Sequence, residues 1–514
     1  MSDPALTTGD LEWLASRGIG AVEAWRQLAL LREPPARLEI DRPCTVGDGI
    51  ERLDAARRAT LATAHDEAAA AGRWMRFVPA SGAATRMFGA LLAVRSRDGP
   101  TRDSLERGAA GGDPDARSAL ATLEGIERFA FRDALDAALV KRGLSLATCR
   151  ARGDARTLFD TLLEPSGLGY ASRPKGMLAF HRDDAGARTA FEEQLREAIT
   201  LGRAVDGVTR AHFTVSPEHR ALFERALVEL RPSLERMAPR LDVGFSGQEP
   251  ATDTLALGDD GAPVRAGGRL LLRPAGHGAL IDNLGAIGGD LVSIKNVDNV
   301  QPEIHRAASI EWARVLTGRL LELERRVHGL LLRLEDPRDA EAPAEAIAFV
   351  TTEFGGVAGV PLEGGRAHVW ALLHRPLRVC GMVPNTGEPG GGPFWVRDRR
   401  DGITRQIVES AEVDLTRPVS RTRFASGTHF NPVYLVCGLR DHRGTPYPLA
   451  EYVDPAAVIL TRKSANGRGL LALERPGLWN GAMARWLTVF VEVPLEVFTP
   501  VKEVNDLLRP EHQP

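Results

Sequence analysis

Lysine is nearly missing from this chain. Of its 65 basic residues only five are lysine: Lys141, Lys175, Lys295, Lys463 and Lys502. The rest are arginine, and Ala, Gly and Pro are plentiful, as a GC-rich coding bias would produce. A lysine that persists against such a drift marks a place that needs a compact ammonium rather than a planar guanidinium fork. Chance survival accounts for Lys141 and Lys502, whereas context singles out the other three. Cysteine is also scarce. The four (Cys44, Cys149, Cys380, Cys437) lie far apart and make no CxxC, which argues against a disulfide framework or a zinc site and for a reduced, cytoplasmic setting. No run of 18 apolar residues exists, so no membrane-spanning helix is expected. The first residues, Met1-Ser-Asp-Pro-Ala-Leu, lack the basic-then-apolar order of a signal peptide. A net charge of −3 argues against a general nucleic-acid binder. The dinucleotide GxGxxG and the GxxxxGK[ST] loop are both absent.

What is present centres on Arg73-Trp-Met-Arg-Phe-Val-Pro-Ala-Ser-Gly-Ala-Ala-Thr-Arg-Met-Phe88. An apolar run from Trp74 to Val78 breaks into the small residues Ser81-Gly82-Ala83-Ala84. Met87, Phe88, Leu91 and Leu92 then follow at helical spacing. A strand, a tight small-residue loop and a helix let backbone N–H groups approach an anion, with Arg86 placed to fold back onto a phosphate. The same residues also fit an ordinary βα turn.

The flanking segments give an expected layout. Residues 1–72 read as a helical N-terminal extension, with Ile50 to Ala71 as an Ala-rich helix. Residues 90–165 read as a helical insertion whose middle, Ser104 to Arg117, is polar, Gly-rich and mobile. Arg173-Pro-Lys-Gly-Met-Leu-Ala-Phe180 sets Lys175 in a turn suited to meeting a phosphate. A helix is expected over Arg188–Leu201, a strand from Arg210 with Ser216 as N-cap of the next helix, and a strand over Leu241–Phe245. This alternation predicts an α/β fold with a mostly parallel sheet, whose ligands bind at the carboxyl ends of strands. Gly276-His277-Gly278 is a second glycine loop, open to a flat base or sugar. The strand Leu291–Ile294 delivers Lys295, Asn296, Asp298 and Asn299 to its end, where Asp298 suits Mg²⁺ beside a nucleotide. An Asx-stabilised turn accounts for the same residues. A long helix spans Ile304–Leu334, and the Pro/Asp/Glu-rich stretch Glu335–Glu345 marks a boundary. The expected domains are thus 1–72, a core over 73–335, and a β-rich acceptor region over 346–514. In the last, His429, Asn431, Lys463, Trp479 and Asn480 are candidates for a polar pocket, although each alone fits a structural role. The triple glycine of Gly-Glu-Pro-Gly-Gly-Gly-Pro-Phe394 suits an anion or sugar contact.

Taken in order, these motifs resemble the sugar-nucleotide pyrophosphorylases of the UDP-glucose and UDP-N-acetylhexosamine type. Ser81-Gly-Ala-Ala-Thr-Arg86 is a degenerate form of their Gly-Gly-x-Gly-Thr loop. Pro274-Ala-Gly-His-Gly278 is similar to their uridine-contacting Pro-x-Gly-His/Asn-Gly, Phe213-Thr-Val-Ser216 to their Met-Thr-Ser strand end, and Phe245-Ser-Gly-Gln248 to their Phe-x-x-Gln. Asn296-Val-Asp-Asn299 is similar to their metal-carrying Asp-Asn. This match covers roughly residues 73–305. Over nearly the whole chain the sequence also resembles a bacterial family defined only as a domain of unknown function, which supplies no substrate.

The resemblance implies a GT-A-like, Rossmann-like nucleotidyltransferase core that uses Mg²⁺ to join a nucleoside triphosphate, with UTP favoured, to a sugar phosphate or similar small phosphorylated acceptor. It assigns Ser81, Gly82, Ala83, Gln248, Gly276, His277 and Gly278 to the nucleotide. Arg86, Lys175 and Lys463 go to the transferring phosphates and Asp298 to the metal. Lys295, Asn296, Asn299, His429, Asn431 and Asn480 are the acceptor candidates. Two other readings stand beside it. A GT-A-like glycosyltransferase would want Asp-x-Asp, of which Asn296-Val-Asp298 is half. A non-enzymatic nucleotide-binding protein would tolerate the degraded glycine loop.

Overall fold

The computed structural model describes residues 6–97, 100–355, 365–387, 390–398, 402–465 and 468–514. They form a mixed α/β structure in two compact units, each assembled from separated stretches of chain. One comprises Met1–Phe77, Ser246–Ile294 and Ala313–Leu495; the other comprises Val78–Phe245, Lys295–Trp312 and Glu496–Pro514.

The larger unit is built on a mixed sheet. Its strands run in the order Thr45–Val46, Gly49–Glu51, Leu487–Glu492, Leu377–Pro384, Tyr434–Gly438, Leu291–Lys295 and Trp74–Pro79. Leu377–Pro384 lies parallel to Leu487–Glu492 and antiparallel to Tyr434–Gly438. Leu291 pairs with Trp74 in a parallel register. The central strands are continuous apolar runs, the pattern of strands covered on both faces. Phe77, Val292, Ile294, Met382, Leu435 and Phe490 bury against Leu280 and Leu284 of the helix Leu280–Ala286. Each such side chain contributes about 1.5–3 kcal/mol on leaving water. Three smaller antiparallel sheets belong to the same unit, one of them the two-stranded pair Arg265–Ala266 and Arg269–Leu270. Another joins Ile40–Pro43, Gly392–Asp398 and Gly402–Val408, and the third joins Ile459–Ala465, Arg468–Glu474 and Ala256–Gly258.

The smaller unit carries a run of short helices, Arg102–Ala110, Pro114–Glu124, Arg132–Val140, Leu146–Ala151 and Ala155–Leu163. Further along, the neighbouring strands Val208–Thr214 and Arg240–Ser246 carry Phe213 and Phe245. These meet Phe191 of the helix Ala190–Gly202 and Phe223 of the helix Arg220–Leu234 in one aromatic cluster.

Three expectations are corrected. Residues 1–72 are not all helical: strands occupy Ile40–Pro43, Thr45–Val46 and Gly49–Glu51, and the helix begins at Ala55 with Asp54 accepting from the Arg57 N–H at 2.8 Å. Residues 104–117 are two capped helices rather than a polar loop. Thr101 caps the first, Asp113 and Pro114 open the second, and Gly112 turns between them with φ +89°. Leu105, Ala116, Ala119 and Leu123 supply the buried face that their polar neighbours obscure. The stretch 335–345 does not separate a C-terminal region, since a helix follows at Ala342–Phe354 and three strands beyond it belong to the central sheet.

Candidate functional site

Within the smaller unit, three motifs far apart in sequence are tied together. The Ala80 N–H donates to Thr214 O at 2.9 Å, fixing where the loop leaves its strand. Ser81, Gly82 and Ala83 are exposed, and Ala84–Arg86 makes a short 3₁₀ turn. The loop is then clasped to Arg173-Pro-Lys175. The Lys175 N–H donates to Gly82 O at 3.1 Å, and the Ala84 N–H donates to Arg173 O at 3.1 Å. Gly176 turns that segment where a Cβ would press on Phe223 and Val297 at 3.1 Å. The Lys175 ammonium donates to Asp298 Oδ2 at 2.9 Å and to Val501 O at 2.8 Å. The Val501 N–H donates back to Asp298 O at 3.1 Å.

A second ammonium completes the cluster. Lys502 Nζ lies 3.3 Å from the same Asp298 oxygen. Burial alone would raise the Asp298 pKa, but Lys175 first and Lys502 second outweigh it and hold the carboxyl below its ordinary value. Asp298 is therefore ionised, and its one negative charge stands against two positive ones. Arg86 is exposed and has no ion-pair partner among the described residues. Lysine has three donors; Lys175 spends one on Asp298 and one on Val501, which leaves one for a ligand. The arrangement is a cationic patch beside exposed backbone, chemistry that suits phosphate. Both lysines engage Oδ2, and Oδ1 has no partner among the described residues.

The other residues at this strand end serve the interior. Lys295 is 1 % exposed and donates to both Glu197 oxygens at 3.0 and 2.8 Å, so its ammonium is spent inside the smaller unit instead of facing an acceptor. Asn296 accepts from Gln194 Nε2 through its carbonyl at 2.8 Å. Asn299 is buried, accepting from the Thr499 N–H at 3.1 Å and donating to Val497 O at 3.3 Å. Asn299 is thus an Asx-type clamp on the C-terminal segment, not an acceptor contact.

The Gly276–Gly278 loop lies in the larger unit. Gly276 has φ +76°, and a Cβ on Gly278 would stand 2.1 Å from Pro476 O, so only glycine fits that approach. His277 stacks on Trp479 with ring centres 4.1 Å apart and 15° between planes. Its Nδ1 accepts from the Leu478 N–H at 2.9 Å. Burial pushes its pKa down to about 4, so the ring is neutral and carries its proton on Nε2. Gln248 Nε2 is buried without a partner among the described residues, as is Oδ1 of Asn283. Asn283 fixes the turn before Gln248 by donating to Ser246 Oγ and Gly247 O, both at 2.8 Å. Lys463 pairs with Glu474 at 2.7 Å on an exposed hairpin; the other Glu474 oxygen lies 2.9 Å from where a Gly276 Cβ would be.

The remaining acceptor candidates are held in separate networks. His429 meets Thr428 Oγ1 at 2.8 Å and Glu492 at 3.4 Å. Asn431 Oδ1 accepts from the N–H of Val433, which sits at φ +55°, so this amide supports a strained turn. Asn480 is buried and donates to Glu412 Oε2 at 2.9 Å, while Trp479 Nε1 donates to Glu409 at 3.3 Å. Burial pushes the Glu412 pKa up to about 8. These contacts give His429, Asn431 and Asn480 structural duties in place of the shared polar pocket expected. Lys502 and Asn283 are the functional candidates that sequence reasoning passed over. Lys502 follows no motif, and Asn283 lies in an ordinary helical stretch.

A family profile described as a domain of unknown function, DUF4301, matches residues 7–513. The chain belongs to the DUF4301 family. Among curated proteins none matches it. Among solved structures this DUF4301 chain is similar to the uridine diphosphate N-acetylglucosamine pyrophosphorylase of Trypanosoma brucei, at 13 % identity and a TM-score of 0.48, over 98 % of this chain and 79 % of that one. It is also similar to a mutant UDP-glucose pyrophosphorylase of Leishmania major in complex with UDP-glucose, at 12 % identity and a TM-score of 0.43, over 99 % of this chain and 79 % of that one. Likeness this distant leaves function to be read from the residues themselves.

Proposed function

We propose that this DUF4301 protein is a nucleotidyltransferase with a GT-A-like core. It joins a nucleoside triphosphate, with UTP the first candidate, to a sugar phosphate or similar small phosphorylated acceptor and releases pyrophosphate. The observation that carries the reading is the clasp holding the exposed Ser81–Arg86 loop to the Lys175–Asp298–Lys502 cluster. An acceptor phosphate is already ionised near neutral pH, so in-line attack on the α-phosphorus needs positioning and charge neutralisation, and no dedicated base. Lys175, Lys502 and Arg86 supply that neutralisation. The single free carboxylate oxygen fits Mg²⁺, which takes one or two carboxylates and completes its shell with substrate phosphates and water. Asp298 would hold the ion, which when bound withdraws charge from phosphoryl oxygens. In the larger unit, taken by itself, the Nε2–H of His277, Gln248 Nε2 and Asn283 Oδ1 are hydrogen-bonding groups suited to a planar polar ring such as a base.

The test has two parts. A thermal-shift screen of UTP, CTP, ATP, GTP and dTTP, each with and without Mg²⁺, reads binding. A ligand at about 100 times its Kd stabilises the fold by roughly 2.7 kcal/mol. Pyrophosphate release with sugar phosphates then reads turnover. Lys175→Ala is expected to lose about a thousandfold in kcat/KM, and Asp298→Asn to lose Mg²⁺-dependent turnover while still melting cooperatively from a folded state. Wild-type turnover by Asp298→Asn would sink the assignment. A base-selective shift without turnover would establish a nucleotide-binding protein in place of an enzyme.

A further inference from the structure

A group of side chains in the larger unit takes no part in the chemistry above. His374, Asp441 and His442 each bring one ligand atom within 4.8 Å of the others. Two stretches of chain supply them. His374 follows the helix Gly365–Leu373, its N–H donating to Trp370 O at 2.8 Å. Asp441 and His442 open the tight turn that ends at Thr445, where the Asp441 N–H donates to Thr445 O at 2.9 Å.

Each ring and carboxylate is held from behind. His374 stacks on Trp370 with centres 4.2 Å apart and 15° between planes, and Tyr452 Oη donates to the His374 carbonyl at 3.2 Å. Asp441 Oδ1 accepts from the N–H groups of Arg443 and Thr445 at 2.9 and 2.8 Å. Its other oxygen faces His374 Nε2 at 3.6 Å, too far for a hydrogen bond. His442, whose side chain is 1 % exposed, donates through Nε2 to Glu335 at 2.8 Å. That bond fixes the tautomer, so Nδ1 presents a lone pair. This Nδ1 is buried and has no donor among the described residues. A buried acceptor without a donor costs about 1–3 kcal/mol, and a cation at this point would remove the cost. A carboxylate on the far nitrogen of an imidazole is also the usual support of a metal-bound histidine.

We infer that His374 Nε2, Asp441 Oδ2 and His442 Nδ1 form a binding site for a divalent transition metal of the zinc class, with Glu335 as its positioning residue. Two imidazoles and one carboxylate suit Zn²⁺ and its first-row neighbours, whereas Mg²⁺ prefers oxygen alone. Three protein ligands leave a fourth tetrahedral position for water or a small ligand. The scarce cysteines do not bear on this site, because none of its ligands is a thiolate. Bound metal would tie the end of one helix to the 441–445 turn and, through Glu335, to the end of the helix Ala307–Glu335.

Full-length protein stripped with chelator and dialysed is the material for the test. Zn²⁺ is titrated calorimetrically, and Co²⁺ is followed by its visible ligand-field bands. One equivalent per chain with a four-coordinate Co²⁺ spectrum is expected. His374→Gln, Asp441→Asn and His442→Gln should each remove the stoichiometric site, and Glu335→Gln should weaken it about tenfold or more. Asp298→Asn should leave the Zn²⁺ stoichiometry at one. Circular dichroism and melting without metal report folding, and His374→Gln, at a partly exposed ring, decides if His442→Gln does not fold. Absence of a stoichiometric equivalent in the wild-type chain overturns the inference. So does undiminished binding by both His374→Gln and Asp441→Asn.

Discussion

Asp298 shows how much a single carboxylate can organise. It anchors one lysine whose backbone clasps the Ser81–Arg86 loop and a second that stands half in solvent. Lys502→Ala should therefore weaken binding of phosphate-bearing ligands, by roughly tenfold as the loss of one charge-assisted contact, with little change in melting temperature. The cluster was half legible in sequence. Lys175 and Asp298 sit in recognisable turns, whereas Lys502 lies between Val501 and Glu503 with nothing around it to mark a site. Lys295 was misleading for the converse reason. Its strand-end position suited a ligand, but its partner Glu197 is 98 residues away, and no local pattern announces that pair. A second residue-scale consequence concerns acid. His181 bridges Glu193 and His512 through its two ring nitrogens, each at 3.0 Å. Burial pushes both histidines down, His512 from an ordinary 6.5 to about 3, with His181, Arg509 and His305 adding to it. The unfolded chain thus binds more protons between those values, so this stability is complete above about pH 6.5 and lost as pH falls toward 3. Denaturation midpoints measured from pH 7 to pH 4 should fall, and His512→Gln should flatten the slope.

One long helix, Ala307–Glu335, carries two glycines with opposite consequences at the scale of the element. A Cβ on Gly318 would stand 1.9 Å from Leu61 O of the helix Ala55–Ala70. A Cβ on Gly329 would meet nothing within 4 Å. Gly318→Ala must push two helices apart and should cost about 2–3 kcal/mol. Gly329→Ala gains helix propensity alone and should stabilise by up to about 1 kcal/mol. Urea denaturation of the two variants checks both signs. The helix itself was readable, expected over 304–334 and found at Ala307–Glu335, as was Ala190–Gly202. Its two glycines were not distinguishable, because periodicity says which face is buried but not how closely a neighbour's backbone approaches. The helices Arg102–Ala110 and Pro114–Glu124 were hidden by Gly111-Gly112 and many charges, though Thr101, Asp113 and Pro114 had written their starts. The strands before residue 52 were too short, at two to four residues, to show alternation.

For the whole molecule, linear order is a poor guide. The chain passes from one unit to the other after Phe77, Phe245, Ile294, Trp312 and Leu495. A division at 335–345 follows composition, yet Leu377–Pro384, Tyr434–Gly438 and Leu487–Glu492 share a sheet with Leu291–Lys295 and Trp74–Pro79. Composition records where the chain is polar, not where strands hundreds of residues apart will pair. The α/β class was legible because strand and helix patterns alternate, and membership of the family of unknown function was legible from likeness along nearly the whole chain. The antiparallel direction of Tyr434–Gly438 was not, since it reads as a buried run with no sign of direction. A fragment covering 73–335 keeps Leu291–Lys295 but loses the partner strand Tyr434–Gly438 and much of the surrounding core. Expressed alone, it should lack a cooperative thermal transition and be rapidly cut by protease, unlike the full chain.

The five lysines give this protein a sparse set of built-in reporters. Amine-reactive footprinting read by mass spectrometry has five internal sites to follow. Lys141 stands exposed and should be modified first; Lys295, sealed against Glu197, should resist until the fold opens. Lys463, in its surface pair with Glu474, serves as an internal reference. Protection confined to Lys175 and Lys502 on adding a nucleotide would therefore map the occupied patch directly, at two positions, without any substitution in the chain.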